Sequence, residues 1–487
     1  MSLVASEPAR SAPILAIWGL MIATAMQAGD ALIINVALPR LQDDLGGGVE
    51  LSAWVITSYL CAAAVAAPLT GWLRRRFGTQ QLWSTTIGAF LGASLLCSLA
   101  PSAVALILFR LLQGAAGGVI LPLGQAILLD SYPRERHGRM LSVWGAVTMV
   151  GPILGPVAGG IITDILSWRW VFMINFPFGL FAIWSMRRLH LGPEVDGNPP
   201  IDGFGFVLLI ISVGGLQLCL GRGVGRSWLD SPELLAEVSI TVTAFGAMML
   251  RASRFGFTVF RLAVFKDVNF ALAAFYNFMT SGLLFVTVVF LPSLAQGPLG
   301  YSATVAGFTI VPRAILMTLV MLFAGRLIGK IAYRILLSSG WALMAAGLAL
   351  LANMHIGHEL IGMIVGSTVQ AVGAGLLFTP HSTLAYSTLR ADLRTDAAGL
   401  YSLLRQLGFA SGVALMTAVL RMKTGINLVD AAQKSPLGSL SPQILGIVTW
   451  RDYADCFQLM AIASLAIAPG LFMFRVREQE QGLSPLA

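Results

Sequence analysis

Asp30 and Arg110 are the two residues of this chain best placed to do chemistry together. Asp30 interrupts the apolar run 14–38, and Arg110 interrupts the apolar run 103–129. A charged side chain in hydrocarbon costs about 2.5–3.5 kcal/mol or more, so it normally faces a protein interior or a water-filled path and has a partner. With the first run directed outward and the second inward, Asp30 lies eight residues from the outer end at Leu38, and Arg110 seven residues from the outer start at Ala103. At about 1.5 Å per residue, both sit roughly 10–12 Å below the same surface. Burial favours the neutral form of a carboxyl group, and a nearby cation favours its charged form. An acid that exchanges one of these surroundings for the other takes up and releases a proton, as a proton carrier must. One charge crossing roughly 150 mV is worth about 3.5 kcal/mol, enough to hold roughly a 300-fold gradient of a neutral solute. The same two residues also fit a permanent ion pair that only orients its helices.

Other polar and aromatic residues interrupt the apolar runs. Gln27, Asn35, Gln113, Gln125, Tyr276, Asn277, Phe278, Phe285 and Gln370 could line a mostly apolar cavity with few polar groups; by periodicity each fits packing equally well. Arg313 and Arg405 have no obvious acid to pair with in the second-half runs. Beside a cavity they would favour anionic or polarised substrates, while Arg405, nearer an inner end, could instead bond backbone carbonyls or snorkel. His381, after Pro380, is a candidate second titrating group. His355-x2-His358-Glu359 has a metal-like spacing but falls between runs and lacks further ligands, so no metal site is expected. The four cysteines are scattered with no CxxC, and there is no Gly-x4-Gly-Lys-Ser/Thr loop or other catalytic constellation. The expectation is a non-enzyme without a cofactor.

The elements that must hold these residues are membrane helices. The hydrophobic fraction is 56%, charged residues make up 11%, and the mean hydropathy is +0.80. A soluble domain carries about 25% charged residues, so 487 residues of this composition cannot coat a soluble surface. Fourteen apolar stretches predict helices near 14–38, 52–73, 81–100, 103–129, 138–163, 169–187, 203–221, 233–251, 267–292, 302–325, 334–354, 358–388, 395–421 and 455–475. The first is too long for a signal-peptide core and is expected to stay in the mature chain. An even count puts both termini on one side. Of the 31 lysines and arginines, 20 fall on the loops and termini of that side and 8 on the other, which predicts cytoplasmic termini. The net charge of +8 is therefore spread over short loops and is no nucleic-acid patch. Trp54, Trp168, Trp228 and Trp450 fall near outer ends, and Trp72, Trp83 and Trp184 near inner ones, as aromatic belts do.

The expected organisation is a six-helix bundle (1–190), a two-helix insert (191–266) and a second six-helix bundle (267–487) with a long outer loop at about 422–454. A polar Pro/Gly-rich break at 190–202 and a basic stretch from Arg251 to Lys266 mark the insert. Gly71-Trp72-Leu73-Arg74 after the second run and Gly325-Arg326-Leu327 after the tenth are a weak internal echo. Repeated halves with a site between them are a common transporter plan. In the fifth run, Gly151, Gly155 and Gly159 share one helix face and permit close approach of another helix, while Pro152 and Pro156 remove backbone donors and invite a bend. Close packing of any two membrane helices would look the same.

Gly151-x3-Gly155-Pro156-x2-Gly159-Gly160 resembles the antiporter motif of the major facilitator superfamily, with Ser142 where the motif has an upstream glycine. Gly29-Asp30-Ala31-Leu32-Ile33-Ile34-Asn35 is similar to the first-helix motif of its fourteen-helix drug:proton antiporters. So are Arg110-Leu111-Leu112-Gln113-Gly114, Trp168-Arg169-Trp170-Val171-Phe172-x-Ile174-Asn175-x-Pro177, and Arg405-Gln406-Leu407-Gly408. The resemblance covers nearly the whole chain and is nearest the EmrB side of the EmrB/QacA-like group. It implies an all-α major facilitator fold: two six-helix bundles plus two linker helices. It implies multidrug efflux by alternating access in a bacterial cytoplasmic membrane, powered by the proton gradient, with Gly71, Arg75, Arg76 and Gly78 as a gating loop. In double-membraned bacteria it further implies a periplasmic adaptor protein and a TolC-like outer-membrane channel as partners, with segment 422–454 as an adaptor contact. Two departures stand out. Arg75 occupies the place of the loop's usual aspartate, and Ala31-Leu32 follows Asp30 where a hydroxyl-rich stretch is usual. A dedicated proton-coupled transporter of one metabolite, or a non-transporting membrane scaffold, are the alternatives.

Overall fold

The computed structural model describes residues 14–46, 48–187, 202–223, 232–255, 261–355, 358–434 and 442–474. Among these there is no β-strand, and almost all lie in helices. A chain this apolar must satisfy its backbone N–H and C=O groups internally, and helices do so within each segment.

The helices are α1 (Ile14–Leu45), α2 (Trp54–Phe77), α3 (Thr79–Ser98), α4 (Ala103–Ser131), α5 (Arg134–Ile165), α6 (Trp170–Met186) and α7 (Gly203–Gly221). They continue as α8 (Pro232–Phe255), α9 (Val268–Gln296), α10 (Val305–Leu327), α11 (Tyr333–Ala352), α12 (Glu359–Ser387), α13 (Arg394–Lys434) and α14 (Pro442–Ile467). All fourteen expected helices are present. Twelve are long and apolar enough to cross a membrane, and α6 is a shorter apolar helix. The remaining one, α3, is diluted by Gln80, Gln81, Ser84, Thr85 and Thr86 in its first turns. The chain is an integral membrane protein.

Local breaks have local causes. A 3-10 turn at Ala67–Leu69 inside α2 contains Pro68, which cannot donate a backbone hydrogen bond. In α7 the turn Ile210–Gly214 widens to a π-helix, and the Cys61 thiol points to the Gly214 carbonyl at 3.9 Å. By contrast, α5 stays helical from Arg134 to Ile165, straight through Pro152 and Pro156.

Segment 422–454, expected as a long loop, is largely helical: α13 continues to Lys434 and α14 begins at Pro442. Met422 to Lys434 contains no proline, so nothing stops the helix before Pro436 and Gly438. Lys423 pairs with Asp455 at 2.6 Å, and the Thr424 hydroxyl donates to Asp452 at 2.7 Å, tying α13 to α14 where the loop was expected.

Two units are distinguishable. One comprises Met1–Leu218, Glu237–Asp267 and Tyr386–Leu403; the other comprises Cys219–Ala236, Val268–Ala385 and Leu404–Ala487. Most of the linker pair α7 and α8, and the start of α13, thus belong with the first six helices.

In the first unit α1 packs along α5 and α2 along α4. Glycine makes both contacts possible. A Cβ on Gly151 would fall 2.1 Å from the Ala25 carbonyl oxygen, and one on Gly159 would fall 2.7 Å from the Ile33 side chain. A Cβ on Gly114 would meet the Tyr59 carbonyl at 2.2 Å. Ile33, Ile34, Val55, Leu106, Trp168 and Phe172 form an apolar cluster in this unit. In the second unit α9 crosses α13 in the same manner: a Cβ on Gly412 would lie 2.7 Å from the Gly282 Cα, and one on Gly408 2.3 Å from the Phe278 carbonyl. The crossing of α1 with α5 at Gly29 and the crossing of α9 with α13 at Gly282 are a clearer internal repeat than the Gly71 and Gly325 echo.

Candidate functional site

Five helices of the first unit bring their polar side chains to one point. The Asp30 carboxylate on α1 accepts from the Arg110 guanidinium (α4) at 2.8 Å through Oδ2. Through Oδ1 it accepts from the Gln113 amide (α4) at 3.0 Å and the Asn175 amide (α6) at 2.7 Å. Arg110 also donates to Gln113 Oε1 at 2.8 Å. Both amides donate to the Ser94 hydroxyl of α3, at 2.8 and 2.9 Å. From α2, the Tyr59 ring lies under the Arg110 guanidinium, 4.2 Å from its carbon, and the Phe172 ring is 5.8 Å away. The Gln27 amide donates to the Tyr59 hydroxyl at 3.1 Å. Asp30 is 2% exposed, and Arg110, Gln113 and Ser94 are fully buried.

Protein donors surround this carboxylate. A buried carboxylate needs charge-assisted hydrogen bonds to replace its solvation, and Asp30 has three. Arg110 Nη2 makes no hydrogen bond in the described structure, so the guanidinium has a donor in reserve. A proton on Asp30 would remove the acceptor charge, and the arginine would then need another partner.

Depth matching along the helices predicts Asp30 and Arg110 together, and the structure joins them; Gln113, expected as a cavity-lining residue, bonds to both. The structure adds Asn175, Ser94 and Tyr59. Asn175 had a signal, a lone amide in an apolar helix, but periodicity does not say which way it points. Of the antiporter-motif residues, Gly151, Gly155 and Gly159 face α1, Pro152 and Gly160 are partly buried, and the side chain of Pro156 lies outside the described residues. So does the side chain of Asn35.

The remaining expected cavity residues fall into separate groups. In the second unit Arg313 (α10) donates to the Thr287 hydroxyl at 3.0 Å and the Leu284 carbonyl at 3.3 Å. The Gln370 amide (α12) donates to the Leu283 carbonyl at 3.0 Å, and its oxygen accepts from Thr287 at 2.8 Å. His381 stacks on Tyr276 with ring centres 5.5 Å apart and lies 6.5 Å from Trp341. Phe285 stacks on Phe409 at 4.6 Å. Asn277 is buried on α9 and Arg405 half-buried on α13. Phe278 lines an apolar cavity of about 580 Å³ with Met279, Leu283, Gly412, Leu415 and Leu459.

The expected gating loop carries a reversed charge arrangement. Arg75 forms an ion pair with Asp396, in the first turn of α13. The Asp396 carboxylate rests on Gly71, where a Cβ would fall 2.2 Å from its Oδ1. Next to it Arg74 pairs with Asp130 at 2.8 Å and donates to Thr395 at 2.7 Å, while Arg394 pairs with the same Asp130 at 3.1 Å. Arg76 lies near the Trp72 and Phe77 rings, at 5.9 and 6.0 Å. Gly78 takes the turn with φ of +72°. The acid missing from the loop is thus supplied by α13. Arg75→Gln and Asp396→Asn are each expected to destabilise the protein, with a coupling of about 1–3 kcal/mol in the double variant. Unfolding in mixed micelles measures it, and strictly additive losses would refute the pairing.

Trp168 and Arg169 do a different job. The Trp168 indole donates to Asp44 at 2.9 Å and Arg169 at 2.6 Å. Together they hold the Asp44 carboxyl below the usual carboxylate range and join the end of α1 to the start of α6.

Residues 20–413 match the model of the Major Facilitator Superfamily. The chain belongs to the Major Facilitator Superfamily. Among superfamily members it is 34% identical to a multidrug export protein, EmrB, of Haemophilus influenzae, over 83% of this chain and 80% of that one. It is 30% identical to the fatty acid resistance protein FarB of Neisseria gonorrhoeae, over 82% of this chain and 79% of that one. Its fold is similar to that of the human organic anion transporter MFSD10, with a TM-score of 0.61 at 14% identity, covering 93% of this chain and 99% of that one.

Proposed function

We propose that this chain is a multidrug efflux antiporter that exports lipophilic small molecules in exchange for protons. The observation that carries the reading is Asp30, buried, ion-paired to Arg110 and held by two amides in an apolar unit. Relatives of which it covers about four fifths are named for drug export and fatty acid resistance.

The mechanism follows from what a proton does to that cluster. With Asp30 charged, Arg110 is neutralised and α1, α3, α4 and α6 are tied together. A proton on Asp30 cancels the pair, leaves Arg110 in search of an acceptor and loosens the tie. Substrate and proton then favour opposite states, and exchange follows from their different preferences. The proton gradient supplies the energy and no cofactor is required. The protein resides in a bacterial cytoplasmic membrane with both termini in the cytoplasm, as the lysine and arginine bias supports. In a double-membraned cell it works with a periplasmic adaptor protein and a TolC-like outer-membrane channel.

Inverted membrane vesicles test the reading. Acidifying the lumen is expected to drive uptake of a lipophilic dye at least about tenfold above vesicles without the protein, and nigericin is expected to abolish it. Uptake that needs ATP and ignores the proton gradient would refute the proposal.

A further inference from the structure

A histidine is buried in the second unit as completely as Asp30 is in the first. His381 (α12) is 1% exposed, and its Nε2 atom makes no hydrogen bond in the described structure. Its surroundings are aromatic. The imidazole stacks on the Tyr276 ring of α9 at 5.5 Å with an interplanar angle of 22°, and it lies 6.5 Å from the Trp341 ring of α11. Tyr276 stands eight residues beyond the start of α9, Trp341 eight beyond the start of α11, and His381 six before the end of α12. At about 1.5 Å per residue, the three rings lie roughly 9–12 Å from the helix ends on one side.

The same cluster seats the turn that follows α14. The helix gives way after Ile467 to a 3-10 turn, Ala468–Met473, with Pro469 near its start. The Tyr276 hydroxyl donates to the Ile467 carbonyl at 3.0 Å. Gly470 rests on that hydroxyl, where a Cβ would fall 2.5 Å from the oxygen. Phe474 packs on the Tyr276 ring at 5.7 Å, and Leu471 and Phe474 are both buried. Tyr276 thus holds the turn by its hydroxyl and by its ring, and His381 stacks on the same ring.

A proton on His381 conflicts with this packing. An imidazolium has two N–H donors to satisfy and a charge to solvate. Aromatic ring faces attract a cation, but far less than the loss of hydration costs it. Of the rings around His381, Tyr276 is the titratable one, and its hydroxyl is engaged with Ile467. Among the described residues no carboxylate or cation acts on His381 from α9, α11, α12 or the turn. Water relieves the charge once the turn lifts from Tyr276. We propose that His381 is a second proton-binding site, separate from Asp30, which releases the turn 468–474 from α9 when the pH on that side of the membrane falls. The structure shows the neutral, seated form. A released imidazole titrates at about 6.5, and the seated one has no place for the proton. Acid therefore favours release, by about tenfold between pH 7.5 and pH 5.5.

Hydrogen exchange of the full chain in phosphatidylcholine nanodiscs tests the proposal. The quantity read is the protection of the amides of residues 470–474, relative to an unstructured peptide of the same sequence. In the parent it is expected to fall about tenfold from pH 7.5 to pH 5.5. His381→Phe, a neutral ring that still stacks, is expected to keep its protection at both pH values. Tyr276→Phe, which removes the bond to Ile467, is expected to lower protection at the higher pH and to keep the response to acid. Asp30→Asn is expected to respond as the parent does, which separates this site from the first. Unchanged protection of the parent in acid, an equal fall in His381→Phe, or loss of the response in Asp30→Asn would overturn the proposal. Should His381→Phe fail to fold, Phe474→Ala decides. With its turn already loosened, that variant is expected to show low protection at both pH values, and the full response retained there would overturn the proposal.

Discussion

Asp30→Asn is expected to reduce proton-driven export to the level of protein-free liposomes while leaving the protein folded. The asparagine is the same size and its oxygen can still accept from Gln113 and Asn175, which the carboxylate does at 3.0 and 2.7 Å. Its nitrogen, however, would face the Arg110 donor now 2.8 Å from Oδ2, and it carries no exchangeable charge. The neutral side chain resembles the protonated state that an antiporter visits in every cycle, so the fold must tolerate it. Gel filtration and a reconstituted transport assay check both halves of the expectation. Undiminished gradient-driven transport by the folded variant would remove Asp30 from the coupling.

Arg110→Ala should be more damaging to the fold. Removing one member of a buried pair leaves the other charge uncompensated, at a cost of about 3–5 kcal/mol. The variant also loses the stacking on Tyr59 and the bond to Gln113. Expression and unfolding stability are expected to fall together with activity. The double variant Asp30→Asn/Arg110→Met is the diagnostic companion. It removes both charges, and such replacements of buried pairs are often neutral or stabilising. It should recover most of the stability and none of the coupled transport. Wild-type stability in Arg110→Ala would show that the pair contributes nothing to the fold.

Much of the first unit was legible from the chain alone, for physical reasons. A charge in an apolar run has few tolerable surroundings, and rise per residue places Asp30 and Arg110 at one depth. The small-residue face Gly151, Gly155, Gly159 announced a close helix crossing, and the structure puts α1 there. What the sequence could not supply was direction. Asn175 reaches Asp30 from α6, and Ser94 reaches both amides from α3, whose first turns are polar. Neither turn geometry nor rotation about a helix axis leaves a reliable trace in periodicity. The partner of Arg75 lies 321 residues away, so the oddity of an arginine at that position was visible and its resolution by Asp396 was not. The segment after Arg421 misled for another reason: polar residues at helical spacing read as a loop when no packing partner is known.

The central claim is that Asp30 trades a proton for substrate. It is tested most directly by adding substrate to the purified protein in weakly buffered solution and recording the pH. The parent is expected to release protons on substrate binding, and Asp30→Asn to release none at the same substrate occupancy. Equal proton release from both would contradict the account.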